Sequence, residues 1–517
     1  QSKPDCFASS LGEGASGVPA NLALTPETAN PSGETVVQKR PQAFLNHKYK
    51  NIFPLNMARA QAEVIPNRPA PALQSFSRND TIGHRKIPCR RGLFRRSGHR
   101  KKEAVIMSMN TVPERLAALR AAMAANGVAV YLIPVGDPHA SEYLPCHYTS
   151  LTWFSGFHGE NSNFVVTRTE SALWADGRYF VQAEKEIAGT EIKLQRMGEP
   201  GVPTVEEYCA NALNEGEALG LCGLTASTAL VNDLKKALEK KGASIKTLDL
   251  EDELWTEGRP ALPDTPAWIL PKEYAGFSPA EKLDQLRSKL KELGCTAQFV
   301  GKLDNLAWLL NLRAMDIECT PYAMAYCYVT PSRAVLFINT ARVTPEAKAE
   351  LEANGITLAE YDDVLKFLAA ETEPQTVLAE CSTVNYAVYQ VLEQNPALTV
   401  KDGTDPLLMM KGVKNETELA HTKQAHIRDA VAMVRFQIEL ESRLAAGETL
   451  TELTVDEILH KYRSADDKFL VESFGTIAAY GGNAAMMHYH ATPEDHAVLE
   501  KKGFLPVSYT HLTLPTT

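Results

Sequence analysis

Residues 112–134, VPERLAALRAAMAANGVAVYLIP, and residues 279–301, PAEKLDQLRSKLKELGCTAQFVG, decide the fold. In the first, Leu116, Leu119 and Met123 fall on one helical face, Asn126-Gly127 stops the helix, and Val128–Ile133 is apolar enough for a buried strand. In the second, Ser278-Pro279-Ala280-Glu281 is a capping box with proline at the first helical position. That helix stops at Gly294, and Ala297–Val300 is strand-like. At an offset of 167, Leu116 pairs with Leu283, Leu119 with Leu286, Arg120 with Arg287, Gly127 with Gly294 and Asp137 with Asp304. Five identities in one helix–Gly–strand frame predict two copies of one domain type.

Outward from these strings the periodicity alternates. Strands are expected at 163–167, 192–197, 219–222 and 244–250, and helices at 179–187, 204–213 and 228–241. Such alternation predicts an α/β layer. Pro260, Pro263, Pro266 and Pro271 mark a connector to the second copy, in which a helix opens at Thr344-Pro345 and 376–380 reads as strand. A third block starts near Asn415 with a long amphipathic helix over 416–446, a helix over 455–462 and a strand plus turn over 469–480. That block is expected not to close a sheet, to expose apolar helix faces and to aggregate.

The 517 residues allow about three domains at roughly 150 residues each. The net charge of −10 argues against nucleic acid as a partner, and no apolar run is long enough for a membrane span. The nine cysteines, odd in number and widely spaced, exclude a compact disulfide scaffold and fit a reducing compartment.

The charge is unevenly spread. Residues 1–106 carry 17 Lys and Arg against 7 Asp and Glu, and the remainder 36 against 56. Segment 84–102, HRKIPCRRGLFRRSGHRKK, has nine bases and no acid. It reads as a basic tail or transit peptide, or as upstream DNA translated in frame; residues 1–108 are expected to be non-native or disordered, with the start at Met107 or Met109. Gly12-Glu13-Gly14-Ala15-Ser16-Gly17 matches a dinucleotide-binding pattern without the strand and helix that pattern needs. Residues 506–517, PVSYTHLTLPTT, resemble a translated library adapter, so the natural sequence is expected to stop near Leu505.

Two strings carry candidate chemistry. Trp174-Ala175-Asp176-Gly177-Arg178-Tyr179-Phe180 reads as a tight turn after a strand, with an arginine leading into a helix, where it clamps a carboxylate or carbonyl, or forms a structural ion pair. Met486-Met487-His488-Tyr489-His490, followed by Glu494-Asp495-His496, would put His488 and His490 on one face of a strand, with a zinc site or ordinary surface histidines as the alternatives. Cys146-His147 is not expected to form a dyad, because neighbours on an extended chain point apart. His421 and His426, five apart on the long helix, lack the four-residue spacing of a metal pair.

Several strings together resemble aminopeptidase P, the long three-domain Xaa-Pro aminopeptidases of the creatinase-like metallopeptidases. They are VYLIPVGDPHASEYL (130–144), WADGRYFVQA (174–183), LDNLAWLLNLR (303–313), GVKNETELAHTKQAHIRDAVAM (412–433) and NAAMMHYHATPE (483–494). The resemblance implies two creatinase-N-terminal-like α/β domains, 109–262 and 263–411, then an incomplete pita-bread (α+β) catalytic domain over 412–505. It implies removal of the residue before a proline, a cytoplasmic homodimer, and two Mn²⁺ per subunit held by two Asp, one His and two Glu. Those metals would generate the attacking hydroxide. His488 matches the family's substrate histidine and Arg178 its substrate-reaching arginine. The ligand string, of the type Val-Asp-Ser-Gly-Gly, is expected after Leu505, where the adapter-like tail begins. No metal ligand is therefore assigned to this chain, no Mn²⁺ is expected in it, and it is expected to be inactive. A non-catalytic creatinase-like interaction module is the alternative; creatinase or prolidase activity fits less well, since those enzymes carry one N-terminal domain.

Overall fold

The computed structural model describes residues 111–486, 488–503 and 505–508. The expectation for residues 1–108 lies outside these, as does that for the adapter-like tail 506–517 beyond residue 508. The chain starts its described part with α1 (Val112–Ala125), capped by Thr111 and Glu114 in a reciprocal box. Its counterpart α2 (Pro279–Glu292) is capped in the same way by Ser278 and Glu281. The stop residues Gly127 and Gly294 have φ of 62° and 67°, the left-handed region that glycine enters without strain.

Each helix leads into a six-stranded sheet. The first consists of β1 (Val130–Pro134), β2 (Asn163–Thr167), β3 (Ser171–Ala175), β4 (Lys193–Arg196), β5 (Ala218–Leu221) and β6 (Ser244–Thr247), in the order β4-β3-β2-β1-β5-β6. The second consists of β7 (Ala297–Val300), β8 (Tyr326–Val329), β9 (Ala334–Phe337), β10 (Ile356–Ala359), β11 (Gln375–Leu378) and β12 (Leu398–Lys401), in the order β10-β9-β8-β7-β11-β12. The strand directions match as well: two antiparallel pairings inside each sheet, parallel pairings elsewhere. Even a side-chain tether repeats. Nε of Arg120 donates to the Thr167 carbonyl at 3.0 Å, and Nε of Arg287 to the Thr330 carbonyl at 3.0 Å. The offset of 167 thus marks a structural duplication.

Both sheets are covered on both faces. Tyr131 and Ile133 pack to one side of β1 with Leu116, Leu119 and Phe154, while Val130 and Leu132 pack to the other with Trp174 and Val231. Alternate side chains of a strand point to opposite faces, so a central strand buried twice reads as one apolar run. The expected strands and helices of the first copy are present, with ends shifted by a few residues. Strands β8, β9, β10 and β12 in the second copy are additions to the sequence reading, as are the short paired strands Trp268–Ile269 and Leu312–Arg313 within and after the proline connector.

The two domains meet through equivalent loops with near two-fold reciprocity. The Thr228 amide donates to the Val384 carbonyl at 3.0 Å, and Tyr386 to Ala226 at 2.9 Å. Ala229 donates to Cys381 at 2.8 Å, and Ala387 to Gly223 at 2.9 Å. His139 seals the seam: Nδ1 lies 2.7 Å from the Gly301 carbonyl and Nε2 2.8 Å from the Tyr361 hydroxyl.

The third block is built on α3 (Glu416–Ala445) and α4 (Glu452–Arg463). They pack through Phe436, Val455, Ile458 and Leu459. The expected strand over 469–480 shrinks to Ile477–Ala478, which pairs antiparallel with Val507–Ser508. Residue 488 lies in a turn and 490 in no regular element, so the strand that would have set His488 and His490 on one face is not formed. Gly481–Ala485 winds instead into a short 3₁₀ turn, and Asn483 and Tyr489 fold back onto Glu452.

Candidate functional site

The site grows from the register of β2 and β3. Asn163 opposes Trp174 in this antiparallel pair, so the residues entering β2 lie beside those leaving β3. This brings Glu160 and Asn161 next to the Asp176-Gly177-Arg178 turn. The Arg178 amide donates to Asp176 Oδ1 at 2.9 Å, closing the turn. Its guanidinium folds back on the same carboxylate, with Nη2 to Oδ2 at 2.6 Å, while Asn161 Nδ2 donates to Oδ2 at 2.8 Å. Burial opposes charge on Asp176, but the bonds from Arg178 and Asn161 more than offset it and hold the carboxyl below its usual range. Arg178 therefore forms a structural ion pair with Asp176.

From the third block, His488 comes to this turn. Arg178 Nη1 lies 3.3 Å from His488 Nε2. The imidazole stacks on the Tyr179 ring at 5.3 Å between centroids. Its Nδ1 faces Glu160 Oε2 at 3.8 Å, and the Tyr179 hydroxyl donates to that same oxygen at 3.2 Å. Burial, then the Glu160 charge, pushes the Tyr179 phenol up, so it stays a donor. Arg178 and His488, singled out separately in the sequence, thus meet across 310 positions. Asp176 and Tyr179 were legible within the quoted string, but no sequence signal marked Glu160.

The other candidates do not converge. His488, His490 and His496 are not among the side chains whose ligand atoms converge in the described residues, and the strand that would have aligned the first two is missing; His496 Nδ1 bonds to the Thr492 carbonyl at 2.8 Å. His147 Nδ1 lies 2.7 Å from the Pro260 carbonyl rather than on Cys146. His421 Nε2 sits 3.1 Å from the Glu273 carbonyl.

Among the described residues, only Cys222, Asp249 and Glu251 bring three potential metal-ligand atoms within 4.8 Å of one another. Hydrogen-bond accounting explains Oε2 of Glu251 without a metal, while Oε1 is buried with no hydrogen-bond partner. Tyr131 Oη lies 2.6 Å from Glu251 Oε2 and 2.9 Å from the Leu248 carbonyl, and accepts the Leu250 amide at 3.2 Å. One phenolic proton cannot serve both acceptors. A protonated Glu251 donating to Tyr131, which donates to Leu248, satisfies the phenol completely. Burial, with the Asp249 charge, pushes this carboxyl up to about 8, in keeping with that assignment.

The profile of the Creatinase/Prolidase N-terminal domain matches residues 115–255, a second profile of the same description matches 258–418, and that of Metallopeptidase family M24 matches 420–510. The chain belongs to the creatinase-like metallopeptidases of family M24. Aminopeptidase P2 of Arabidopsis thaliana is 34% identical over 415 residues, covering 74% of this chain and 58% of that protein. Xaa-Pro aminopeptidase app-1 of Caenorhabditis elegans is 32% identical over 397 residues, covering 73% and 64%. The crystal structure of an X-prolyl aminopeptidase from Caenorhabditis elegans, described as a cytosolic enzyme with a di-nuclear active site, superposes with a TM-score of 0.71 at 30% identity, covering 76% of this chain and 66% of that one. The chain thus spans about 58–66% of the length of these relatives. Its M24 membership implies a metal, and the residues around His488 do not fit one. A guanidinium occupies the approach to Nε2, and among the described residues Glu160 is the one carboxylate paired with the imidazole, at 3.8 Å. No helix among the described residues is long and apolar enough to cross a membrane.

Proposed function

We propose that the whole protein removes the N-terminal residue from peptides with proline in the second position, as a cytoplasmic, homodimeric, Mn²⁺-dependent Xaa-Pro aminopeptidase. The observation that carries this reading is the meeting of Arg178 and His488 at 3.3 Å between the first domain and the M24 block. Proline's tertiary amide has no N–H, so a site for it must select by shape and by hydrogen bonds to carbonyls. Arg178, braced by Asp176, offers N–H groups to a substrate carbonyl or carboxylate. His488, stacked on Tyr179, stands ready to hold or move a proton at the leaving nitrogen. The metals would activate the attacking water, and their ligands are assigned to none of the described residues.

No stretch of the 517 residues reads Val-Asp-Ser-Gly-Gly. We therefore propose that this chain by itself does not turn over. The test is release of the first residue from an Xaa-Pro tripeptide with Mn²⁺, using this chain and the product of the contiguous gene. Turnover by the gene product alone is expected. Turnover by this chain would overturn the inactivity, and none by the gene product would overturn the function.

A further inference from the structure

A cavity of about 470 Å³ opens beside Arg178 at the seam of the first two domains. Its wall carries Asp137, Glu142 and Glu160 from the first domain and Ser382 and Thr383 from the second. Arg178 is the single basic residue lining it, and that guanidinium is already tied to Asp176. The cavity therefore holds an excess of negative charge.

One wall residue is left unfinished. Asp137 is 3% exposed, and its Oδ1 accepts from the amides of His139 at 3.0 Å and Ser141 at 2.9 Å. Its Oδ2 is buried with no partner, as is Oγ of the neighbouring Ser141. A buried acceptor without a donor is costly, and a charged donor is the group that relieves it best. The three carboxylates do not form a compact metal-binding cluster, since the only such group among the described residues lies at Cys222. Acids too far apart to ligate one small ion together still make the cavity negative, and a flexible alkyl chain can carry a single charged donor to the unpartnered one, Asp137.

We propose that this cavity receives the ammonium group of a lysine side chain on the peptide substrate, with Asp137, Glu142 and Glu160 as its counter-charges. The assignment rests on the peptidase reading above, because it places the cavity beside the scissile end of the peptide. The ammonium would donate to the Asp137 carboxylate, with Glu142 and Glu160 supplying negative charge at longer range and the serine and threonine hydroxyls of the second domain able to accept its remaining N–H groups.

The test is calorimetric titration of the 517-residue chain in EDTA. The probes are Nα-acetyl-lysine methylamide, Lys-Pro-Ala-Ala and Ala-Pro-Ala-Lys, each against its norleucine counterpart. The lysine compounds are expected to bind at least tenfold more tightly than norleucine, less so at high salt, and the two peptides tell whether the first or a later residue supplies the ammonium. Asp137→Asn should abolish the difference; because that change could disturb the turn, Glu142→Gln on an exposed side chain is the second variant. Equal binding of lysine and norleucine compounds would overturn the proposal. If the methylamide shows the lysine advantage and no Xaa-Pro peptide binds, the ammonium cavity stands, while the peptidase reading and the substrate assignment fall.

Discussion

Nη1 of Arg178 lies 3.3 Å from Nε2 of His488. A guanidinium can only donate, so Nε2 accepts and the ring proton sits on Nδ1, toward Glu160. Nitrogen-15 spectra of the histidine ring should show the Nδ1–H tautomer, and Glu160→Gln or Arg178→Ala should shift the population toward the other. Unchanged spectra in both variants would refute the pairing. In the whole protein, His488→Ala is expected to lower kcat by about 10²–10⁴-fold, the usual weight of a positioned proton carrier.

His139 is fully buried where the first two domains meet. The Gly301 carbonyl requires a donor, so Nδ1 carries the proton and Nε2 accepts from Tyr361. His139→Ala should cost about 1–3 kcal/mol, the price of stranding buried partners. Burial holds the ring pKa below its ordinary value, against the charges of Asp137 and Asp316. A group with a depressed folded pKa contributes stability above its unfolded pKa that is lost as pH falls, so the wild-type Tm should drop below about pH 6.5 more steeply than that of His139→Ala. Parallel melting curves would contradict this.

Glu251 behaves in the opposite sense. Its carboxyl is pushed up to about 8, above the ordinary value, chiefly by burial and then by Asp249. The stability it contributes is complete at acid pH, below its unfolded pKa, and is lost as pH rises through about 8. Glu251→Gln keeps a donor for Tyr131 and cannot ionise. Its Tm should therefore fall less than that of the wild type between pH 6 and 9, roughly the span over which the buried acid loses its proton. An unchanged slope would show that Glu251 is already ionised.

Ile427, Val431, Val434 and Ile438 form a stripe along α3, with exposures of 57, 45, 55 and 61%. Their spacing of four, three and four residues is that of a helix seam, and an apolar stripe this long drives association. The 517-residue chain is expected to self-associate at micromolar concentration, as read by light scattering. Val434→Glu with Ile438→Lys should reduce the scattering several-fold. A monodisperse monomer in the unsubstituted chain would refute the expectation.

The duplicated fold was legible in the sequence because its signals are local. The capping box at Ser278, the stops at Gly127 and Gly294 and the apolar spacing are each written within a single turn or strand. Strands β8 and β9 were not marked, since short strands buried on both faces lack an alternating pattern, and β10 and β12 are four-residue edge strands too short to show one. The strand expected at His488 failed for a tertiary reason: Glu452 gathers Tyr489, Asn483 and the Tyr480 and Ala497 amides, and these bonds turn the chain back.

By itself, the sequence determined the two copies, the long helix of the third block, and the residue types Arg178 and His488 as those to watch. Only the tertiary structure decided that they meet. The register of Asn163 against Trp174 places Glu160 beside Asp176, and the packing of the third block carries His488 onto Tyr179. The same is true of the cavity at Asp137, whose second wall comes from Ser382 and Thr383 of the other copy. Hydrogen bonding along a helix or turn is short-range and leaves its trace in neighbouring residues. Contacts between domains depend on sheet register and loop docking, which no local pattern encodes.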